Sequence, residues 1–563
     1  MIEELRKDVL GEGACIDTPF GRRRVTYADY IASGRALASV EDSLREAVLP
    51  LYANTHTEDS ATGAITTHLT HDAAAYIKDC LGANDDYKLV FPGTGATGAL
   101  KRLQEILGVS VGGQWRTRLL ETLDPADRLV VFVGPYEHHS NELSWRESLA
   151  ETVTVPLDGN GLIDLGALAG LLSDPRYEGR RKLGSFSAAS NVTGLLTDVR
   201  AIASLLHRHG ALAVFDYAAS APYVDISVAP TSERADDWLD AVVLSPHKFL
   251  GGPGSPGLLL FHKSLYHLNS PTTAGGGTVS YVSHTQHRYY DDIEVREDAG
   301  TPAIVQKLRA ALAFRVKEQV GVETIERRER DLIAVALPRL AAIDGVRVLG
   351  NLSAPRLAVA SFLVASGGKQ LHAKFVIRLL SDLFGIQGRA GCSCAGPYGH
   401  ALLGIDDETS ECFLHAIEAG FEGVKPGWTR LSFHYLIDDD ERDFLLDAVA
   451  FIARHGYRFL PLYAFDWHSG SWRWRADGTA GTADGVSDES HGSMFDPAAW
   501  RAVDRSTAPR HHDYAAYLKE AEAVAARLAA EDSSTAAADA VAAPRAGDDV
   551  PQGLDERVLW FAR

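Results

Sequence analysis

Between about Thr26 and Pro302, short apolar runs alternate with amphipathic helical patterns, and few folds satisfy that alternation. Strand-like segments lie at Lys88–Phe91, Arg128–Val133, Thr152–Val155, Lys182–Ser187, Ala211–Phe215, Ala241–Leu244 and Gly257–Phe261. Every connection but the last is long enough for a crossover helix, which predicts an α/β fold: a mostly parallel, seven-stranded sheet covered on both faces. The short link from Leu244 to Gly257 predicts that the last strand runs antiparallel to its predecessor. From Ala303 the pattern turns helical through Leu308, Leu312 and Val316, and again over Arg330–Ala342, where Pro338 predicts a kink. Strand-like Val346–Leu349, Leu357–Phe362 and Thr429–Phe433, with helical Gln370–Phe384 and Ser410–Phe421, predict a smaller α+β domain. The expected division is an N-terminal arm (1–25), a large domain (26–302), a small domain (303–463) and a C-terminal extension (464–563).

In the extension, Trp467, Trp472 and Trp474 either pack on the core or form a partner surface, and the large area a tryptophan buries favours packing. His511 to Glu531 reads as an amphipathic helix, and Asp532 to Gly553 as a low-complexity, mobile stretch. The apolar end, Val558-Leu559-Trp560-Phe561, is expected to dock. A net charge of −20 over 563 residues disfavours nucleic acid or an anionic membrane as partner. Five cysteines scattered at 15, 80, 392, 394 and 412 make no disulfide framework. Met1 to Asp8 lacks a hydrophobic signal core and no later run approaches a membrane span, so a cytoplasmic location is expected.

The chemistry concentrates in a few motifs. Lys248 lies in Leu244-Ser245-Pro246-His247-Lys248-Phe249, directly after an apolar strand and downstream of Asp216, which ends another. A lysine amine can bond an aldehyde cofactor, and a carboxylate can keep a pyridine nitrogen protonated, so the pair suggests pyridoxal phosphate. Ser245 and His247 suit phosphate contacts, and the following glycines admit close backbone approach. Phe91-Pro92-Gly93-Thr94-Gly95-Ala96-Thr97-Gly98 follows a strand and opens a helix, offering free amide N–H groups to a phosphate. Tyr136-Glu137-His138-His139-Ser140-Asn141 places imidazoles at the end of a strand. Either histidine could stack on a cofactor ring; the alternative, a cap on the next helix, weighs more on His139 than on His138.

Taken together these motifs resemble the class V aminotransferase and cysteine desulfurase family, within the fold-type I pyridoxal phosphate enzymes, over roughly residues 25 to 460. That fold carries the same single strand reversal. The resemblance implies that Gly95, Ala96 and Thr97 cradle the phosphate, that His138 stacks on the ring and that Asn191 makes a polar contact near the ring hydroxyl. It further implies Asp216 as the pyridinium partner, Ser245 and His247 as phosphate contacts, and Lys248 as the lysine that bonds the cofactor. Thr278, in Gly276-Gly277-Thr278, resembles the segment that reaches the phosphate of a neighbouring subunit, implying a homodimer. Arg430 resembles the arginine that clamps the substrate carboxylate, a task suited to a bidentate guanidinium. Two departures stand out. Asp216-Tyr217-Ala218-Ala219 replaces the usual Asp-Gly-Ala-Gln, and Pro246, where desulfurases often carry glycine, rigidifies the approach to His247.

Reaction type turns on Arg389-Ala390-Gly391-Cys392-Ser393-Cys394-Ala395. Desulfurases with a short catalytic loop carry a cysteine five residues after an arginine and just before an alanine, and Cys394 meets that spacing. Its thiolate would attack the sulfur of substrate cysteine, leaving alanine and an enzyme persulfide. The alternative is a cysteine buried as a small apolar residue, but glycine, serine and alanine neighbours favour an exposed loop. Cys392 is left open: a metal fragment would need a second pair or set histidines, so no metal is expected. The doubled cysteine resembles that of molybdenum cofactor sulfurases without the rest of their motif. The expected function is a desulfurase-like enzyme acting on L-cysteine or a related sulfur amino acid, with a protein or small molecule as sulfur acceptor. A carbon–sulfur lyase, an aminotransferase or an epimerase would share every cofactor residue. A non-catalytic sulfur-relay scaffold fits less well with the intact set of Lys248, Asp216, His138 and Arg430.

Overall fold

The computed structural model describes residues 1–475, 504–535 and 550–561. Its central sheet has seven strands: β1 (Tyr87–Val90), β2 (Val130–Val133), β3 (Glu151–Thr154), β4 (Lys182–Ser187), β5 (Ala211–Asp216), β6 (Ala241–Leu244) and β7 (Leu258–His262). They lie in the order β1-β7-β6-β5-β4-β2-β3. Strands β3, β2, β4, β5 and β6 are mutually parallel. β7 is antiparallel to both β1 and β6, the one reversal the short connection predicted. Every residue of β2 and of β6 is buried, which is why these strands read as unbroken apolar runs and not as alternation. The carboxyl ends of β2, β4, β5 and β6 lead into Glu137, Ser187, Asp216 and Ser245, and a parallel sheet presents its ligand site along that edge. Helix α1 (Gly95–Ile106) follows β1 and helix α2 (His139–Arg146) follows β2.

A second, antiparallel sheet is built from β8 (Val346–Val348), β9 (Val359–Ser366), β10 (Arg389–Gly391) and β11 (Trp428–Ser432), in the order β8-β9-β11-β10, with Lys369–Gln370 paired to β9. Three residues long, β10 is too short to carry a period, and sequence reading missed it; helix α3 (Gly396–Leu403) follows it. The two helices expected after Ala303 run over Ile304–Val320 and Val322–Ala342, the second containing Pro338. Thr26–Tyr27 pairs in parallel with Ile386–Gln387, which brings the chain just before Asp29 to the edge of the second sheet.

The extension closes on this second layer. Tyr463–Phe465 and Trp472–Trp474 form a hairpin. Trp467 and Trp472 are buried in the same core as Phe375, Phe465 and Phe561, the packing alternative for the tryptophans. The helix Arg510–Thr535 lies on Asp439–His455, with Tyr514 stacked on Phe444 at 4.0 Å. The apolar end docks: the Trp560 indole N–H donates to the Val424 carbonyl at 2.9 Å, and its ring stacks on His372. Most of the stretch read as low-complexity lies outside the described residues. Among the described residues no helix is long and apolar enough to cross a membrane.

Candidate active site

A cavity of about 530 Å³ opens where the carboxyl edge of the central sheet meets the second sheet. Lys248 reaches it from a single turn, Pro246–Lys248, directly after β6. The turn is too tight for any side chain beside it: a Cβ on Gly252 would lie 1.8 Å from the Pro246 carbonyl oxygen. The Lys248 amine is buried, which pushes it down to about 8 against the opposing pull of Asp216. Near neutral pH a usable fraction is therefore the free amine, the form that bonds a carbonyl or accepts a proton. Asp216, at the end of β5, accepts a hydrogen bond from the Ala218 N–H at 2.8 Å; burial raises its pKa while Lys248 draws it back. A buried carboxylate facing a cavity calls for a cationic or N–H partner there.

Beside this turn, Gly95 has φ 53° and begins α1, and the Ala96 N–H donates to Ser245 Oγ at 2.8 Å. A Cβ on Gly95 would lie 3.0 Å from Ser245 Oγ and 3.8 Å from His247 Nε2. Gly95, Ala96, Thr97, Ser245 and His247 thus converge on one end of the cavity, at the amide-rich start of a twelve-residue helix. Burial first and Lys248 second push His247 down to about 4, so it serves as a neutral donor. Thr97 Oγ1 and Ser140 Oγ, 2.7 Å apart, tie α1 to α2.

The two adjacent histidines divide differently from the sequence expectation. His138 both lines the cavity and caps α2, its Nδ1 accepting from the Ser140 N–H at 3.1 Å. Burial, then Lys248, push it down to about 4. His139, for which the cap stood as an even alternative, instead bonds the Cys394 loop: its main-chain N–H donates to the Cys394 carbonyl at 2.8 Å, and its Nε2 accepts from the Gly396 N–H at 2.9 Å. The difference arises because the capping acceptor must belong to the residue before the first helical turn, and α2 begins at His139.

Glu137, not singled out from sequence, anchors this loop to the sheet. Its carboxylate accepts from the Ser187 N–H at 2.9 Å and, at 2.6 Å each, from the Ser187 hydroxyl and the Asn141 amide. Burial pushes it from 4.5 up to about 7, with Asp216 adding to the rise. A folded-state pKa above the unfolded one means that the folded protein holds this proton more tightly. The stabilisation is complete below about pH 4.5 and lost as pH rises through about 7, an effect of about 3 kcal/mol. Denaturant titrations should show wild type losing stability relative to Glu137→Gln across that window. Parallel pH curves for the two proteins would contradict a raised Glu137 pKa.

Arg430 is buried on β11 and its Nη2 pairs with Asp29 Oδ1 at 2.9 Å, while Nη1 donates to the Asn191 carbonyl at 2.7 Å. Arg389 sits directly opposite on β10 and binds the other oxygen of Asp29, also at 2.9 Å. Two guanidinium groups sharing one carboxylate leave positive charge to spare for a bound anion. Nothing local marks Asp29 in the sequence, since its two partners lie 360 and 401 positions away. Asn191 donates from Nδ2 to the Ser393 carbonyl at 2.7 Å, and its buried Oδ1 has no protein partner.

Cys394 is exposed and lines the cavity, whereas Cys392 packs against the core of the central sheet and does not. Ser393 and Cys394 have φ of 51° and 57°, left-handed values that side chains adopt only when the surroundings impose them. Ala219 lines the cavity at the position where the resembled family usually carries glutamine. Thr278 does not line it; its hydroxyl donates to the Gly275 carbonyl at 2.7 Å, beside a hairpin on which Tyr281 is 60% and Val282 62% exposed.

The family model for aminotransferase class-V proteins matches residues 26–441. The chain belongs to that family. Members of the class V aminotransferases are pyridoxal phosphate-dependent enzymes. A probable cysteine desulfurase 2 of Mycobacterium leprae is 31% identical over 268 residues, 48% of this chain and 60% of that protein. A probable cysteine desulfurase of Halalkalibacterium halodurans is 27% identical over 377 residues, 66% of this chain and 84% of the relative. Among solved structures, the apo cysteine desulfurase from Thermococcus onnurineus NA1 superposes with a TM-score of 0.63 at 23% identity, covering 80% of this chain and 98% of that one. The cysteine desulfurase CsdA from Escherichia coli gives 0.60 at 22% identity, covering 80% and 97%. This class V chain and those two enzymes share a fold.

Proposed function

We propose that this class V enzyme is a cysteine desulfurase that binds pyridoxal 5'-phosphate and takes sulfur from L-cysteine or a close relative onto Cys394. The observation that carries the reading is the convergence of Cys394, Lys248, Asp216 and Arg430 on one cavity. The residues present fit the cofactor: a buried carboxylate that forms no ion pair among the described residues, a buried amine, an orphaned Asn191 Oδ1 and an amide- and hydroxyl-lined helix start. Gly95, Ala96, Thr97, Ser245 and His247 would hold its phosphate, Asp216 its ring nitrogen, His138 and Asn191 its ring, and Lys248 its aldehyde. When bound, the cofactor supplies an electron sink that stabilises negative charge at the substrate α-carbon.

The chain's own residues do the rest. Arg430, braced by Asp29, orients the substrate carboxylate. Lys248, with its lowered pKa, takes the α-proton and later returns a proton. Cys394 as thiolate attacks the substrate sulfur; the carbon–sulfur bond breaks, a sulfur–sulfur bond forms, and alanine leaves with the proton the thiol gave up. Incubation with L-cysteine should yield alanine and a persulfide on Cys394, then sulfur transferred to an acceptor, or sulfide once an added thiol reduces the persulfide. Pyruvate without persulfide would replace this reading with β-elimination.

The same reading includes a homodimer, supported by Thr278 lying away from its own cavity beside an exposed hairpin. Sedimentation should show a dimer, and a fully active monomer would exclude a shared site. It also includes division of the chain near 302 and 463, supported by the confinement of the central sheet to 87–262 and of the second to 346–432. A cytoplasmic site of action accords with free thiols at all five cysteines.

A further inference from the structure

The Cys394 loop is strained at two consecutive residues, so something must hold it. Three bonds cross to it from the central-sheet side: Asn191 Nδ2 to the Ser393 carbonyl, the His139 N–H to the Cys394 carbonyl, and the Gly396 N–H to His139 Nε2. Two of the three belong to His139, and both fall just after the Cα of the thiol-bearing residue, at its own carbonyl and at the N–H two residues on. The Gly396 N–H opens α3 and has no acceptor within its own helix, so the imidazole acts as a cap supplied from another element. Gly396 admits the ring because it lacks a side chain: a Cβ there would lie 3.2 Å from His139 Nε2. To accept at Nε2 the ring must be neutral and carry its proton on Nδ1, an assignment made from the hydrogen bond.

We propose that His139 is a positioning residue for the Cys394 nucleophile: its main-chain N–H and its Nε2 acceptor pin the C-terminal flank of the left-handed turn, opposite the Asn191 bond at Ser393, and keep the thiol at the cavity. His138 faces the cavity and His139 faces the loop, so the adjacent pair joins the cofactor wall to the nucleophile through one helix start. The proposal deepens the desulfurase reading and rests on Cys394 as sulfur acceptor. It does not make His139 a catalytic residue, because the ring does not line the cavity. Losing the imidazole bond should leave substrate binding intact and lower the rate of sulfur transfer, since misplacing a nucleophile by about an ångström costs about a hundredfold.

The test compares His139→Ala with His139→Gln, whose side-chain oxygen can accept from the Gly396 N–H in place of Nε2. Hydrogen exchange over residues 392–399, measured on the full chain without substrate, should accelerate by about tenfold in the alanine variant and return toward wild type in the glutamine variant. With L-cysteine, kcat for alanine and persulfide formation should fall by about tenfold to a hundredfold in His139→Ala at nearly unchanged KM, and recover in His139→Gln. Wild-type exchange and kcat in His139→Ala would overturn the proposal, as would a glutamine variant that restores neither. Should the alanine variant not fold, His139→Leu against His139→Gln makes the same comparison with the space filled. If wild type itself releases pyruvate and forms no persulfide, the desulfurase reading falls, while the exchange comparison still decides whether His139 holds the loop.

Discussion

Lys248→Ala is expected to lose turnover by at least about a thousandfold, within the range for removing a positioned acid–base group and more if the covalent role is counted. The reason is geometric. Lys248 is the only lysine on the cavity wall among the described residues, so no neighbouring amine can stand in for it. Borohydride treatment of wild type supplied with cofactor should yield a covalent adduct on the peptide containing Lys248, and the variant should give none. An alanine variant that turns over near the wild-type rate would remove Lys248 from the mechanism and with it the cofactor assignment.

Cys394→Ala should separate binding from sulfur transfer. Arg430 and its brace Asp29 are untouched by the change, so the spectral response of the bound cofactor to L-cysteine should persist, while persulfide vanishes and alanine formation drops by on the order of a thousandfold. Cys392→Ala should be far milder, because Cys392 packs against the core and only Cys394 lines the cavity. Near-normal turnover of Cys394→Ala with pyruvate as product would mean that the substrate loses sulfur by elimination, a reaction that needs no protein thiol. Tandem mass spectrometry of the 389–400 segment after substrate addition would place the extra sulfur directly.

Several of these residues could be found before any fold was known, and others could not. The alternation of apolar runs and amphipathic stretches is a local property, so the seven strands and the single reversal at β7 were legible to within a few residues. Lys248, Asp216 and the turn at Gly95–Thr97 were legible for the same reason: each stands where a strand ends, and sequence period shows where strands end. The extension was legible in kind, since tryptophans and an apolar tail at 558–561 bury area wherever they can.

By contrast, the residues that brace the cavity wall from behind were decided by tertiary structure alone. Asp29 meets Arg430 across a separation of 401 positions, and it meets Arg389 only because a three-residue strand, too short to show a period, sets that arginine opposite Arg430. Two adjacent histidines of identical chemistry were given different work by where α2 happens to begin, His138 to the cavity and His139 to the Cys394 loop. Likewise Cys392 and Cys394 differ little as sequence, and it is at the left-handed backbone of Ser393 and Cys394, bonded by distant residues, that one thiol packs half-buried against the core and the other is presented to the cavity. Local patterning specifies which segments become strands and helices; which side chains then face one another depends on how segments hundreds of residues apart pack, and the period of a strand or helix carries no information about that.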